Sequence, residues 1–429
     1  MEQLKVIIIG AGDRGRGYAK IMSEFPEKFK VVGVAEPIES RNNYVKELFD
    51  VDEKNCYDTW EKILAVPKFA DIAVISTMDQ MHLEPSLKAL ELGYDLLLEK
   101  PAAPTPEECS MIYRKAKECG RKIIVCHVLR YTPHFLKIKS VIDSGVLGDI
   151  ISIDHTEAVG NIHQSHSFVR GNWGNEGRSS FMLLQKCCHD IDILQWLMNK
   201  DCKKIQSFGS LNYFCKKNAP EGSPERCHEG CPVADTCVYN AVKLYYDDKN
   251  NSWFRGAATK LVNPTDEDVM HALETTQYGK CVYKCDNDVV DHQTVNMLFD
   301  DNSTVTMTMC AFTRGGRTTH IMGTKGEFWA DTSSKAEHKF KLFDFNTREF
   351  TYLDADIQIN GDSIVSGHGG GDGGIIDALY MYLTDQIDAK DVSEIEISCK
   401  NHLLVFAAED SRKQGTVIDI DKYFDKYMN

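Results

Sequence analysis

The sequence lacks long apolar runs and any excess of basic residues, and both absences restrict its function. None of its 429 residues lies in a run of the ~18 apolar residues that a membrane-spanning helix needs. No basic segment precedes the first apolar run, so we expect no secretory signal. Lysine and arginine number 49 against 64 aspartates and glutamates, a formal net charge of −15. This balance argues against nucleic acid or an anionic membrane surface as a partner.

A disulfide framework is also missing. The 15 cysteines are odd in number and scattered through helix-like and strand-like segments, which indicates reduced thiols in a cytoplasmic protein. The chain is longer than one hydrophobic core usually serves, and 42% of its residues are hydrophobic. We therefore expect about two domains.

The most informative stretch that is present is an apolar run at residues 6–9 followed by a glycine-rich turn at 10–15. In dinucleotide-binding units the first glycine permits a tight turn, the second admits the pyrophosphate, and the third lets helix and strand pack closely. The N-terminus of the next helix offers N–H donors to the same anion. An ordinary glycine turn is the alternative. The predicted cofactor contacts here are Gly10, Gly12, Asp13, Arg14 and Gly15.

Residues 1–126 alternate short apolar runs with amphipathic stretches, as parallel strands joined by crossover helices do. The second strand ends in Glu36, whose carboxylate can bond both ribose hydroxyls and disfavours a 2′-phosphate, so NAD is the predicted cofactor. Ligands of such sheets gather at the carboxyl ends of the strands. Further cofactor contacts are therefore expected from Thr77, His82, Glu99 and Lys100. We predict a Rossmann domain with a parallel, doubly wound sheet.

Residues 127–429 have a different hydrophobic pattern, in which apolar and polar residues alternate with the period of two that is typical of strands. Residues 304–309 alternate threonine with apolar residues, which predicts antiparallel strands with one buried face. The second domain is therefore predicted to be α+β with an open, mainly antiparallel sheet. Its strands are predicted at residues 149–156, 204–213, 294–299, 303–311, 320–328 and 339–345, and its main helices at 181–197, 375–387 and 401–413.

Several motifs in sequence order together resemble the Gfo/Idh/MocA oxidoreductase family. They are the glycine turn, Glu36, the sequence Glu99-Lys100-Pro101, Arg130-Tyr131, the turn at 145–148 and the helical sequence His189-Asp190-Ile191-Asp192. The resemblance implies NAD(P)-dependent redox chemistry on sugars, sugar derivatives or cyclic polyols. It also implies that the open sheet forms a homo-oligomer, a dimer or a tetramer.

Under this resemblance Lys100 matches the catalytic lysine of the family and His189 its helix histidine. Alcohol oxidation needs a cation beside the oxygen, which develops negative charge, and a base for the hydroxyl proton. Lys100 suits the first role, and a histidine suits the second because its usual pKa is near neutral. A surface ion pair for Lys100 and a buried structural role for His189 are the alternatives.

The sequence departs from the family four residues before the histidine, where many members have aspartate and this chain has Gln185. An amide can orient a hydroxyl but accepts no proton in turnover. Lys186 is therefore a candidate second cation in the catalytic pocket, with a solvated helix lysine as the alternative. We include both residues among the catalytic candidates.

Candidate substrate contacts come from several loops. Arg170 and Trp173 are predicted to clamp the nicotinamide or a sugar face, with ordinary loop packing as the alternative. A glycine-rich segment at residues 367–374 is predicted to bring His368 and Asp372 to the substrate, or else to be a flexible loop. The other predicted substrate contacts are Arg130, Tyr131, His163 and His166.

An insertion at residues 214–263 contains a cysteine cluster with the spacing C-x3-C-x5-C. In a reducing compartment this spacing is consistent with a structural zinc site formed by Cys227, Cys231 and Cys237, with Cys215 or His228 as the fourth ligand. Zinc would hold together a loop that looks poor in apolar residues. Free thiols, a disulfide and an iron–sulfur cluster are the alternatives.

The predicted activity is hydride transfer between NAD and a ring secondary alcohol of a sugar, a sugar derivative or a glycoside. One alternative is redox-neutral glycoside cleavage or isomerisation through a transient keto-sugar with tightly bound NAD. The other is a non-catalytic NAD(H)-binding sensor, which Gln185 keeps open because Rossmann folds also serve non-enzymes.

Overall fold

The structure contains two β-sheets, one fully parallel and one mixed. A computed structural model describes residues 3–334, 338–353 and 368–428. The first sheet has the order β3-β2-β1-β4-β5-β6. Its strands are Leu4–Ile9 (β1), Phe29–Ala35 (β2), Cys56–Tyr57 (β3), Ile72–Ile75 (β4), Asp95–Leu98 (β5) and Ile123–Val125 (β6). The helices that join them are Asp13–Ser23 (α1), Glu39–Phe49 (α2), Trp60–Leu64 (α3), Leu83–Glu91 (α4) and Pro106–Cys119 (α5).

The parallel sheet is buried on both faces, which its apolar strands require. Every residue of β4 is buried, as expected for a central strand covered by helices on both sides. The ends of α5 have the capping residues that its sequence predicts. The Thr105 side chain accepts a hydrogen bond from the backbone N–H of Glu108 at 3.2 Å, and Gly120 ends the helix in the left-handed region. The predicted Rossmann architecture is confirmed.

The second sheet has nine strands in the order β14-β13-β12-β11-β7-β10-β9-β8-β15. All neighbours in it are antiparallel except β7 and β10, so the predicted mainly antiparallel sheet is confirmed. Its strands are Ile150–Ala158 (β7), Cys202–Ser210 (β8), His292–Phe299 (β9), Thr304–Cys310 (β10), Gly316–Gly323 (β11), Gly326–Asp331 (β12), Phe340–Asp344 (β13), Glu349–Leu353 (β14) and Ile418–Asp419 (β15).

Two long helices bury one face of this sheet. They are Met182–Met198 (α8) and Ile395–Gln414 (α12), and their apolar residues share a core with alternate residues of the strands. The other helices after β6 are Pro133–Asp143 (α6), Asn161–His163 (α7), Ser252–Thr259 (α9), Asp266–Thr275 (α10), Gly371–Leu383 (α11) and Ile420–Met428 (α13). No helix among the described residues is both long and apolar enough to cross a membrane.

The single strand predicted at residues 320–328 is wrong in its boundaries. A turn at Thr324 and Lys325 divides this stretch between β11 and β12. The turn is fixed from outside, because the Lys325 N–H donates to the Leu147 carbonyl at 2.9 Å and Thr324 Oγ1 accepts from the Asp149 N–H at 3.0 Å. The two glycines that flank this pair, Gly323 and Gly326, are the turn signal that the single predicted strand overlooked.

Helix α11 packs against the Rossmann sheet although it lies late in the chain. Its residues Ile375, Ile376 and Leu379 share a core with Val6 and Ile8 of β1. The C-terminal part of the chain therefore contributes to both layers of the molecule and reaches the dinucleotide turn. The sequence boundary at residue 126, placed at the end of the Rossmann pattern, stays a prediction.

Candidate active site

The turn between β1 and α1 has the geometry that a dinucleotide needs. Gly10 has a φ of +89°, and a β-carbon on it would lie 2.7 Å from backbone atoms of Ser76. A β-carbon on Gly15 would lie 2.0 Å from the Gly10 carbonyl oxygen, whereas one on Gly12 would meet nothing within 4 Å. Gly10 and Gly15 are thus required by packing, and Gly12 leaves the N-terminus of α1 open to a pyrophosphate.

Glu36 stands at the carboxyl end of β2 beside this turn. Its carboxylate is buried and accepts the N–H groups of Ala11 at 2.7 Å and Ile38 at 3.0 Å. Arg41 lies nearby: burial lowers its pKa, the charge of Glu36 raises it, and the charge of Arg16 lowers it again. The position where the cofactor ribose is expected is therefore surrounded by two carboxylates, Glu36 and Asp13, and by two arginines, Arg16 and Arg41.

Arg14 joins the dinucleotide turn to two other parts of the chain. Its Nε donates to Glu99 at 2.6 Å, and its Nη atoms donate to Asp372 at 2.9 and 2.8 Å. Burial would raise the pKa of Glu99, but the charges of Arg14 and Lys100 hold it below its usual value. Asp372, near the start of α11, thus lies against the cofactor turn, and its predicted contact with substrate stays a prediction.

Lys100 reaches from the end of β5 to helix α8. Its Nζ donates to the backbone carbonyl of Gln185 at 2.8 Å. His189 lies one turn further along α8, and residues four apart share a helix face. The His189 ring is largely buried and packs edge-on against His127, with ring centroids 5.8 Å apart. The structure therefore brings the two predicted catalytic residues to one face of α8.

The side chain of Gln185 is bonded to other residues of the protein. Its amide nitrogen lies within hydrogen-bond distance of Asp79 and of the hydroxyls of Ser179 and Ser180, both at 2.7 Å. Its two N–H groups can serve two of these acceptors at a time. Asp79 follows β4, so the contact ties the Rossmann domain to α8. Gln185 thereby positions Lys100 through its carbonyl, while its amide is used by the protein itself.

Sequence reasoning did not single out Asp79 or His127, although both follow the carboxyl end of a parallel strand. That position was the available signal. His127 is fully buried, and burial lowers its pKa to about 4 while Asp192 acts in the opposite direction. It is therefore neutral near pH 7 and contributes a polar, uncharged wall behind His189.

Lys186 belongs to an ion-pair network that anchors α8 to the sheet. Its Nζ lies 3.4 Å from Glu157 on β7, and Glu157 also contacts Arg317 at 2.7 Å. Arg317 donates to Asp190 at 2.6 Å, which lies 3.0 Å from the His155 ring. Burial would raise the pKa of Asp190, but Arg317 and His155 hold it well below its usual value.

Aromatic rings cluster around His163 and His166 and form an aromatic wall. His163 lies edge-on to Trp253 at 5.3 Å between centroids, and Trp253 also contacts His166 at 4.8 Å. His166 is stacked on Phe254 at 3.9 Å. Sequence reasoning missed Trp253, which lies in the insertion; a tryptophan in an otherwise polar loop was the signal. The structure thus places His163 and His166 together, with an indole beside them.

Other predicted contacts are engaged within the protein. Arg130 donates twice to Asp192, both at 2.7 Å, and Tyr131 accepts the N–H of Ser393 at 3.0 Å. Arg170 is buried and donates to the carbonyls of Lys280 at 2.8 Å and Tyr239 at 2.7 Å. These bonds hold α8, α12 and the insertion in place. The predicted ligand contacts of Arg130, Tyr131 and Arg170 stay predictions.

Three further cofactor candidates differ in how firmly they are held. The His82 ring is buried, with nitrogens 2.8 Å from the Pro101 carbonyl and 3.2 Å from the Thr77 carbonyl. It therefore braces the loop after β4 against the turn that carries Lys100. Thr77 is half-buried, and Trp173 is half-buried and packs on Phe168, with ring centroids 6.1 Å apart. Gly367 and the side chain of His368 lie outside the described residues.

The structure does not support the zinc site. Cys227, Cys231, Cys237 and Cys281 line one cavity of about 20 Å³, but among the described residues no three His, Cys, Asp or Glu side chains are arranged to hold a metal ion. Cys215 is absent from the lining, and its Sγ donates to the Asn212 carbonyl at 3.3 Å. The loop is not poor in apolar contacts, because part of it packs in its own buried aromatic cluster.

Comparison with known proteins identifies this arrangement. A model of the GFO_IDH_MocA oxidoreductase family with an NAD-binding Rossmann fold matches residues 4–127. The model of that family's C-terminal α/β domain matches residues 139–351. The chain belongs to the Gfo/Idh/MocA oxidoreductase family. The predicted family and enzyme class are confirmed, and the matched Rossmann domain supports NAD binding at the glycine turn.

Individual relatives of this Gfo/Idh/MocA protein are distant. It is 23% identical over 373 residues to the putative oxidoreductase YteT of Bacillus subtilis, covering 84% of each chain. It is 22% identical to inositol 2-dehydrogenase of Salmonella typhimurium over 206 residues, 48% of this chain and 57% of that enzyme. A solved scyllo-inositol dehydrogenase from Lactobacillus casei with bound NAD(H) and scyllo-inositol shares the fold, with a TM-score of 0.65 and 14% identity, over 98% of this chain and 100% of that one.

Proposed function

We propose that this oxidoreductase transfers a hydride between NAD and a secondary alcohol carbon in the ring of a sugar, a sugar derivative or a glycoside. The observation that carries the proposal is the contact of Lys100 with the Gln185 carbonyl, one helical turn from His189. Two of the similar proteins are named as dehydrogenases of inositols, which are cyclic polyols. Their names support a ring alcohol as the class of substrate.

Each catalytic side chain has a role that its geometry permits. An ammonium group has three donors, and the Gln185 carbonyl takes one from Lys100. A second donor can polarise the substrate hydroxyl and stabilise the negative charge that develops on its oxygen. His189 would take the hydroxyl proton and return it in the reverse direction. Bound NAD supplies the acceptor for the hydride.

The other assigned residues hold the reaction in place. Gly10, Gly12 and Gly15 would admit the cofactor pyrophosphate, and Glu36 would bond its ribose. Gln185 acts in this proposal as a positioning residue for Lys100, not as an acid or base. Lys186, one residue further on, would add a second cation at the substrate end of the cleft. The cofactor contacts of Asp13, Arg14, Thr77, His82, Glu99, Arg170 and Trp173 remain part of the proposal.

The test begins with the purified full-length protein. Denaturation should release NAD, and a panel of monosaccharides, cyclic polyols and glycosides should include one that raises the absorbance of NADH. Product formation without NADH would instead favour the redox-neutral alternative. If Lys100→Ala and the wild type behave identically across the panel while both bind NAD, the protein is a non-catalytic NAD-binding protein and the proposal is wrong.

We propose a second copy of the chain as the partner of the open sheet face. Large apolar side chains are exposed on this sheet, including Ile151, Phe208, Phe350 and Tyr352, each more than half exposed. Exposed apolar area of this kind marks interfaces. Light scattering after gel filtration should give the mass of a dimer or a tetramer, and a monomer would contradict this proposal.

A cytoplasmic location fits the 15 cysteines, all of them free.

A further inference from the structure

We propose that the cleft beside Lys100 takes a carboxylated sugar, with its carboxylate on Lys186 and the apolar face of its ring on Trp253. This inference rests on the proposed function and narrows its class of substrate to sugar acids. In the proposed mechanism Lys100 and His189 carry out the transfer, and Lys186 and Trp253 bind the substrate. Together they would decide which sugar is chosen.

The accessible charge at this end of the cleft is positive. Two carboxylates belong to the ion-pair network, and both are buried: Glu157 is 2% exposed and Asp190 is 0% exposed. The Lys186 side chain is 19% exposed. Its 3.4 Å contact with Glu157 uses one of three donors, so two remain for a ligand. A substrate approaching from the cleft therefore meets the cation and not the carboxylates.

The cations also converge on one place. Burial is the main cause that lowers the pKa of His163, and the charges of Lys186, Arg317 and Lys100 lower it further. All three charges thus act on the ring that forms the aromatic wall. Within the network Lys186 and Arg317 are matched by Glu157 and Asp190, but both carboxylates are buried whereas Lys186 is partly exposed. A carboxylate on the substrate would therefore meet Lys186 before either acid.

Trp253 provides the matching apolar surface. This residue is 45% exposed, although His163 and His166 contact it edge-on. The stacking of His166 on Phe254 and its 2.8 Å contact with the Tyr245 hydroxyl hold this support rigid. A flat, exposed aromatic surface at the edge of a polar cleft suits the C–H face of a sugar ring.

The negative net charge of the whole chain does not oppose this site. The formal charge of −15 is spread over the molecule, and exposed charges beyond about 8 Å are screened at physiological salt. A contact with Lys186 acts at hydrogen-bond distance, where screening is weak. A charged hydrogen bond of this kind contributes about 1.5–3 kcal/mol, or roughly ten- to hundredfold in affinity.

The test compares a matched pair of substrates, methyl β-D-glucuronide and methyl β-D-glucoside, on the NAD-loaded full-length protein. We expect kcat/KM to favour the uronide at least about tenfold. Lys186→Met should lower that ratio about tenfold, chiefly through the KM of the uronide, whereas Lys186→Arg should keep it. Trp253→Ala should raise KM for both substrates and leave their ratio unchanged. Equal use of both substrates by the wild type would overturn the inference.

Binding separates this inference from the proposed function. If neither compound is oxidised, the proposed activity on such rings is wrong, and calorimetry of the NAD-loaded protein still decides the preference for the acid. Tighter binding of the uronide that Lys186→Met abolishes would support the carboxylate site. Binding that Lys186→Met weakens equally for both compounds, or leaves unchanged for both, would contradict it.

Discussion

The two walls of the cleft are built in different ways. On the Rossmann side the polar groups follow strand ends and are held by backbone bonds, as Glu36 is by the N–H groups of Ala11 and Ile38. On the opposite side the polar groups are held by other side chains, as Lys186 is by Glu157. A cofactor common to many enzymes suits the first design, and a particular substrate suits the second. The specificity of this enzyme is therefore expected to lie in α8 and the insertion.

The largest effect is expected at Lys100, where the two walls meet. Lys100→Met keeps the apolar stem but removes the cation that would polarise the substrate oxygen. We expect kcat to fall about 10²- to 10³-fold, with a much smaller change in NAD affinity measured by calorimetry. Lys88→Met, an exposed lysine on α4, controls for the loss of one charge. Wild-type kcat in Lys100→Met would contradict the catalytic role.

The rigidity of the cofactor wall can be tested at its glycines. Gly15→Ala places a β-carbon 2.0 Å from the Gly10 carbonyl oxygen, so the free energy of unfolding in urea should fall by about 3 kcal/mol. Gly17→Ala is the matched control, because a β-carbon there meets nothing within 4 Å and should stabilise α1 by about 0.5–1 kcal/mol. Equal stability of the two variants would mean that the turn adapts.

This contrast also explains how much could be predicted from the sequence. Local rules connect residue type to position on the Rossmann side: glycines mark the turn, and Glu36 and Lys100 follow apolar strands. The fold could therefore be predicted from these rules, whereas the pairing of Lys100 with His189 on α8 was predicted only from the family resemblance. The roles of Gln185 and Trp253 could not be predicted, because their partners lie far away in the chain: Gln185 bonds Asp79, and Trp253 contacts His163.

The cysteine cluster also shows that sequence spacing alone does not predict a site. Its spacing resembles that of metal ligands, yet spacing along the chain says little about where side chains of a long loop point. In the structure Cys281, which lies outside the insertion, joins Cys227, Cys231 and Cys237 around the cavity, while Cys215 is bonded elsewhere. The loop is held by packing of Phe214, Tyr239 and Tyr283 in one aromatic cluster.

A smaller effect is expected from the charge at the ribose. Glu36→Gln keeps the shape of the side chain but removes the repulsion of a 2′-phosphate, while Arg16 and Arg41 remain nearby. We expect the affinity for NADP relative to NAD, measured by calorimetry, to rise about tenfold. Glu39→Gln, an exposed acid in the first turn of α2, is the control. An unchanged ratio would remove Glu36 from the choice of cofactor.

The smallest effect concerns pH, and it tests the wall behind His189. The pKa of the buried His127 is lowered by burial to about 4, below its usual value of about 6.5 in the unfolded chain. Between these values only the unfolded chain binds this proton, so stability is full above pH 6.5 and falls as the pH decreases. The loss reaches about 1.4 kcal/mol per pH unit for one histidine.

His127→Phe removes this titrating ring, so the free energy of unfolding should depend less steeply on pH, by one proton. The exchange breaks no hydrogen bond, because the ring nitrogens of His127 have no hydrogen-bond partner among the described residues. The variant's free energy of unfolding at pH 8 should stay close to that of the wild type, and the difference should appear near pH 5.5 in urea titrations. His271→Phe, at an exposed position on α10, is the matched control for the ring exchange. If both variants keep the wild-type slope, His127 takes up a proton in the folded protein as readily as in the unfolded chain, and the wall behind His189 is wetter than its burial indicates.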